Sequence, residues 1–321
     1  MWRRTMEKGR VMGKFRKAML VTVALMVIAA AGALFAACGS SSSPSSSASS
    51  STSATTSATA AMTKILGHAP TGLAATIAKR GYFVAVDDPN YPPQSYIDKN
   101  GNLIGFDVDV AKQVAKEIGV PVKVVDAVWS SVPTGVQVDR FDVSIGSITI
   151  TKEREKTFDF TVPYYYTQGQ VIVKQGSPLL TSLAAMKGKT IGVSLDTTYS
   201  TFLQKAGGIN VKQYDTDADT FPDLKNGRLD GVMTADLTAS QAIASGYPFV
   251  FSGKPYYYEP LGFFVRKGEP DWLALLNYAV KKMHADGSLS AMAKKWYHGF
   301  DPTQAPAPGV PSYDEALAKL K

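Results

Sequence analysis

From Gly105 to Thr151 the chain reads GFDVDVAKQVAKEIGVPVKVVDAVWSSVPTGVQVDRFDVSIGSITIT. Asp107 caps a predicted helix that runs to Gly119, with Val110, Val114, Ala115 and Ile118 on one face at helical spacing. Two β-type runs follow it, at 122–125 and 143–145. Working outward, another short β-type run at 82–86 precedes this stretch. Behind it come further runs at 171–173, 190–193, 211–214, 231–234, 249–251 and 262–265, with helical stretches between. A helix over 271–285 then places Trp272, Leu275, Leu276, Ala279, Val280 and Met283 on one stripe and ends at Asp286-Gly287. Strands alternating with helices predict an α/β fold of parallel sheets flanked by helices. Two sets of about five strands predict two lobes rather than one continuous sheet. The stretch after Phe300, DPTQAPAPGV, is expected to be irregular, with a short final helix from Tyr313.

The 321 residues are 45% hydrophobic and 19% charged, which is globular composition with length for a sizeable core. A formal charge of +7 suggests nucleic acid, but its distribution does not. Seven basic residues (Arg3, Arg4, Lys8, Arg10, Lys14, Arg16 and Lys17) stand before residue 38 against the single acid Glu7. The rest of the chain holds 27 Lys and Arg against 26 Asp and Glu, no excess with which to neutralise phosphates. A single cysteine, Cys38, excludes an intrachain disulfide and any multi-cysteine metal site.

Residues 1–37 read as a signal segment, a basic start followed by the apolar run MLVTVALMVIAAAGALFAA. Its ending, Leu34-Phe35-Ala36-Ala37-Cys38-Gly39, resembles the lipobox of bacterial lipoproteins, in which the cysteine is lipidated and becomes the new N-terminus. An extracytoplasmic protein held to the bacterial cell membrane by acyl chains on Cys38 is expected. Residues 39–63 are almost entirely Ser, Thr and Ala. The whole stretch 38–76 is therefore expected to be a flexible tether with a reach of ~35 Å.

Several strings then point to one family. They are Gly105-Phe106-Asp107-Val108-Asp109-Val110-Ala111, Phe141-Asp142-Val143, Gly146-Ser147-Ile148-Thr149-Ile150-Thr151-Lys152-Glu153-Arg154 and Asp159-Phe160-Thr161-Val162-Pro163-Tyr164-Tyr165. Lys187-Gly188-Lys189-Thr190-Ile191-Gly192-Val193, Asp196-Thr197-Thr198-Tyr199, Asn226-Gly227-Arg228-Leu229-Asp230, Gly262-Phe263-Phe264-Val265-Arg266-Lys267-Gly268 and Asp286-Gly287-Ser288 continue the series. In this order and spacing the chain resembles the polar amino-acid class of extracellular solute-binding proteins, family 3, which serve ABC importers. The resemblance covers about residues 77–300. It implies a type II periplasmic-binding-protein-like fold whose two lobes, joined by two hinge strands, close over a ligand. On this chain lobe 1 would be 77–167 with 261–300, lobe 2 would be 168–260, and 301–321 would be a C-terminal tail.

The same resemblance implies the site. Arg154 would take the ligand's α-carboxylate, since a planar guanidinium matches a carboxylate bidentately. Ser147 and Thr149 would donate to the same group, and Tyr91 and Trp129 would form apolar walls. Thr198 and Tyr199 match the lobe 2 loop that opens a helix, whose free N–H groups suit an anion. Asp88 matches a position that can meet a cationic side chain. The family has an acid five positions after the aspartate matched to Asp230, and it pairs with the ligand's ammonium. Counting here gives Ala235, with Asp236 one place later. A one-residue shift assigns that role to Asp236; without it, the ligand would carry a carboxylate and a modified or quaternary amine.

No catalytic constellation, cofactor motif or metal site emerges. Lys187-Gly188-Lys189-Thr190 mimics the end of a phosphate loop, but Leu183 stands where its first glycine should be. His68, His284 and His298 are scattered away from the expected site. The aromatic runs 164–166 and 256–258 fall near the hinge and are expected to pack there. The expected partners are a small zwitterion, an ABC permease with its ATPase, and the membrane through the lipid anchor. Two alternatives remain open: a sensory or adhesive lipoprotein, and a cyclohexadienyl-dehydratase-like enzyme on the same fold, which would need a general acid beside the arginine.

Overall fold

The computed structural model describes residues 49–320, with side chains from residue 56 onward. The expected signal segment, Cys38 and the run 39–48 lie outside the described residues. In chain order come α1 (Ser49–Leu66), α2 (Gly72–Arg80), β1 (Phe83–Asp87), β2 (Asn90–Tyr91), β3 (Ser95–Ile97), β4 (Leu103–Ile104), α3 (Phe106–Ile118) and β5 (Val122–Asp126). Then follow α4 (Val132–Gln137), β6 (Val143–Thr149), β7 (Phe158–Phe160), β8 (Tyr165–Lys174), α5 (Leu183–Met186), β9 (Thr190–Ser194) and α6 (Thr198–Ala206). The chain continues with β10 (Asn210–Tyr214), α7 (Asp217–Lys225), β11 (Gly231–Ala235), α8 (Asp236–Ala244), β12 (Phe249–Phe251) and β13 (Tyr257–Arg266). It closes with α9 (Pro270–Ala285), α10 (Ser288–Trp296) and α11 (Tyr313–Ala318).

The main strands join into one ten-stranded sheet, ordered β10-β9-β11-β8-β13-β6-β1-β5, with β12 on β8 and β7 on β13. This corrects the expectation of two separate sheets. The reason lies in β8 and β13, which are ten residues each and therefore long enough to belong to both halves. They pair antiparallel, with Tyr257 opposite Gly169 and Leu261 opposite Tyr165. A Cβ on Gly169 would stand 2.6 Å from the Tyr257 ring, so this crossing requires a residue without a side chain. On either side the strands are parallel: β1 with β5 and β6 in one half, β9 with β10 and β11 in the other.

Two sets of buried side chains make the lobes. Phe83, Phe106, Ile118, Phe263, Trp272 and Met283 lie in the core of the first, and Val171, Ile191, Val193, Phe202, Leu203 and Tyr257 in that of the second. The aromatic runs settle at the crossing as expected: Tyr164, Tyr165 and Tyr257 are fully buried, and Tyr164 meets Tyr165 with ring centroids 4.8 Å apart.

Two further expectations are revised. The tether does not extend to residue 76, because α1 and α2 occupy most of the stretch from Ser49. Ala58, Met62, Ile65 and Leu66 recur at helical spacing, and Ala58 and Met62 are buried in the first lobe's core. The next helix is fixed at its start: Asp271 accepts from both Thr71 N and Oγ1 at 2.7 Å, and Glu269 from Leu73 N at 2.6 Å. The C-terminal stretch is irregular to Pro311, yet it straps the hinge. Tyr166 N donates to Pro302 O and Tyr258 N to Pro311 O, both at 2.8 Å. The short α11 then opens with a capping box between Ser312 and Glu315 and buries Tyr313 against the second lobe. Among the described residues, no helix is long and apolar enough to cross a membrane.

Candidate functional site

In open α/β sheets ligands bind beyond the carboxyl ends of parallel strands, where loops from neighbouring strands converge. Here two such edges face each other. From the first lobe, β1 delivers Asp87 to Tyr91, the turn after β5 delivers Trp129, and the end of β6 delivers Gly146 to Thr149. From the second lobe, β9 delivers Ser194 to Tyr199 and β10 delivers Asp215 to Asp217. Together with Arg154 and Leu261 these residues line a cleft of about 680 Å³, its open mouth included. Tyr91 of the first lobe also packs on the second lobe's core, so the lobes meet over the cleft.

Eight of the nine expected ligand-binding residues line this cleft: Asp88, Tyr91, Trp129, Ser147, Thr149, Arg154, Thr198 and Tyr199. Asp236 does not. It sits at the start of α8, where its Oδ1 accepts from Thr167 Oγ1 at 2.6 Å, Leu237 N at 2.9 Å and Gln168 N at 3.0 Å. It lines a different depression, with Pro93, Leu237 and Trp296. The physical reason is the position of the helix start: β11 continues through Ala235, and the next residue turns into the first turn of α8.

Arg154 is held by its surroundings. Nη1 donates to Thr149 O at 3.0 Å, Nη2 reaches Asp196 O of the opposite lobe at 3.5 Å, and the guanidinium carbon lies 5.6 Å from the Trp129 ring centroid. Asp88 holds that tryptophan in turn, accepting from Trp129 N at 3.1 Å while its other oxygen takes Asn90 N and Nδ2. Asp88 is therefore a positioning residue for the wall as well as part of the lining.

The hydroxyls expected to serve the ligand have partners inside the protein. Ser147 Oγ donates to Asp107 Oδ2 at 2.5 Å and accepts from Tyr165 OH at 2.6 Å. Asp107, buried in the first turn of α3, also accepts from Tyr164 OH at 2.7 Å. Burial pushes the Asp107 carboxyl up, and burial together with the charge of Asp107 does the same to Asp87, which keeps this pair short of negative charge. Ser147 bridges this network from a left-handed backbone, φ 51°.

Thr149, Thr198 and Tyr199 turn instead to Glu259, a residue the sequence reading missed. Its Oε1 accepts from Thr149 Oγ1 at 2.9 Å and from Thr198 Oγ1, and its Oε2 accepts from Tyr199 OH at 2.6 Å. Glu259 lies on hinge strand β13 with no exposed surface. Burial raises its carboxyl above the ordinary range, while these donors and the Arg154 charge pull it back. One carboxylate at the hinge thus ties Thr149 of the first lobe to Thr198 and Tyr199 of the second. The available signal was a glutamate inside the otherwise apolar strand run Tyr257-Tyr258-Glu259-Pro260-Leu261, since a buried charge needs partners. Among the described residues, no group of three or more His, Cys, Asp or Glu could hold a metal ion.

Comparison with known proteins agrees with this architecture. Residues 83–299 match the model of the bacterial extracellular solute-binding proteins, family 3. An L-cystine-binding protein of Escherichia coli (strain K12) is 33% identical over 239 residues, covering 74% of this chain and 90% of that one. An L-arginine-binding protein of Pseudomonas aeruginosa is 31% identical over 222 residues, covering 66% and 85%. Among solved structures, an ancestral arginine-binding protein bound to arginine is 34% identical with a TM-score of 0.65, covering 68% of this chain and 99% of that one. These relatives are named for binding, not for catalysis. The two lobes and paired hinge strands are the type II periplasmic binding fold, and the chain belongs to the bacterial extracellular solute-binding proteins, family 3.

Proposed function

We propose that the chain captures an α-amino acid or a similar small zwitterion outside the cytoplasm and presents it to the permease of an ABC importer. The observation that carries this reading is Arg154, fixed by Thr149 O and the Trp129 ring at the meeting of two strand-end edges, in a cleft that a small molecule can fill. Arg154 takes the ligand's carboxylate, Trp129 and Tyr91 flank its apolar part, and Glu259 registers closure by gathering hydroxyls from both lobes. Transport energy comes from the partner ATPase, so this chain performs no chemistry. The dehydratase alternative needs an acid open to the substrate. Capture rather than turnover is supported by the relatives, which are named as binding proteins.

A thermal-melt panel of amino acids, betaines and other small zwitterions, opines and sugars tests this reading. A ligand at about a thousand times its Kd adds ~4 kcal/mol. In a domain of this size that raises the melting temperature by roughly 8–16 °C. A shift of that order with one or a few amino acids is expected, and no shift with any carboxylate overturns it.

We also assign the membrane anchor to Cys38, on the strength of the lipobox-like Leu34-Phe35-Ala36-Ala37-Cys38. The Cys38→Ser chain is expected to leave the membrane fraction. Continued membrane association of that variant, with no acyl chain found by mass spectrometry on the wild type, contradicts the anchor.

A further inference from the structure

The cleft holds a carboxylate whose partner the protein does not supply. Asp217, the first residue of the nine-residue α7, lines the cleft at 6% exposure, and its Oδ1 has no hydrogen-bond partner. Two buried hydroxyls beside it, Ser194 Oγ and Thr234 Oγ1, partly offset the effect of burial on its carboxyl, but neither stands in hydrogen-bonding geometry to Oδ1. A buried anion without a partner is costly, whereas an ammonium offers three donors and a positive charge. The other carboxylates of the lining are less suited. Burial raises the carboxyls of both Asp87 and Asp217, Asp217 to about 6, but Asp87 also faces the charge of Asp107, which holds it well above the ordinary range. Each oxygen of Asp88 already accepts from Asn90 or Trp129, and Asp215 is exposed to solvent. Asp236, the residue expected from the sequence, is outside the cleft and bonded to Thr167 and Gln168.

We infer that Asp217 is the receptor for the ligand's α-ammonium, so that the second lobe grips the ligand from the end of β10 rather than from the end of β11. This rests on the amino-acid reading above. Arg154 and Asp217 then hold the two charged groups of one zwitterion from opposite lobes, which couples recognition to closure. The register of β11 leaves Ala235, which carries no charge, at the strand end, and the acid is supplied two strands over, from β10 beyond β9.

Titration calorimetry on the full chain tests this with four probes: L-cystine, L-arginine, and their deamino counterparts 3,3′-dithiodipropionate and 5-guanidinopentanoate. Asp217→Asn is expected to weaken whichever amino acid binds by roughly 10- to 150-fold, the range for a charge-assisted hydrogen bond. Asp236→Asn is expected to change it less than about threefold, as for a group making no ligand contact. The deamino probe separates pairing from damage: the wild type should lose affinity for it, while Asp217→Asn should scarcely distinguish amino acid from deamino probe, as two partners of one interaction do. Equal discrimination by both proteins overturns the assignment, as does a loss confined to Asp236→Asn. A wild-type chain that binds none of these probes and whose melting is shifted by no carboxylate of the panel overturns the amino-acid reading itself, and the assignment with it.

Discussion

Arg154→Ala is expected to weaken ligand binding by about 100-fold or more while the chain stays folded. Two charge-assisted hydrogen bonds from one planar fork to a carboxylate are lost together, and each is worth about 1.5–3 kcal/mol. The fork is already aimed, because Thr149 O takes Nη1 and the Trp129 ring covers the guanidinium. Little ordering therefore remains to oppose binding in the wild type. The fold survives because Glu259, which loses a facing charge, keeps its three hydroxyl donors. Arg154→Lys restores the charge without the fork and should recover only part of the affinity. Calorimetric titration of the three proteins checks this. Binding by Arg154→Ala within threefold of wild type would remove Arg154 from the carboxylate role.

The second large effect falls on stability. Met62 has no exposed surface and sits in the first lobe's core, although it comes from a run that reads as a tether. Truncating a buried methionine to alanine costs about 2–5 kcal/mol. For a domain of this size that lowers the melting temperature by roughly 4–20 °C. The Met62→Ala chain should melt accordingly in a calorimetric scan, with its ligand affinity nearly unchanged because α1 packs on α2 and α9, away from the cleft. A melting temperature unchanged within a degree would mean that α1 is not docked and that the tether extends as the composition suggested.

Most of the sheet was legible from residues 82 to 265 because its strands are apolar runs bounded by turns, the signal that periodicity reads best. What periodicity could not read was continuity. The segments 165–174 and 257–266 look like ordinary strands, and only their pairing with each other joins the lobes. The helix α1 was hidden for a different reason. Ser and Thr are weak helix formers, so residues 49–66 are helical through docking of Ala58 and Met62 rather than through propensity. Eight cleft residues were reachable through the motif ending at Arg154 and its companions. Asp217 and Glu259 were not, because a lone acid in sequence shows neither its burial nor its partners. For Asp236, spacing along the chain does not reveal that β11 ends at Ala235 and the helix begins immediately, which places this residue outside the cleft lining.

The most direct measurement is a crystal structure of the chain with the amino acid that gives the largest melting shift. The expected result places the ligand's carboxylate on both Nη atoms of Arg154 and its ammonium against Asp217 Oδ1, with the side chain between Trp129 and Tyr91. A ligand in this cleft with its carboxylate turned away from Arg154, or a ligand held elsewhere on the molecule, would contradict capture between the two lobes as described.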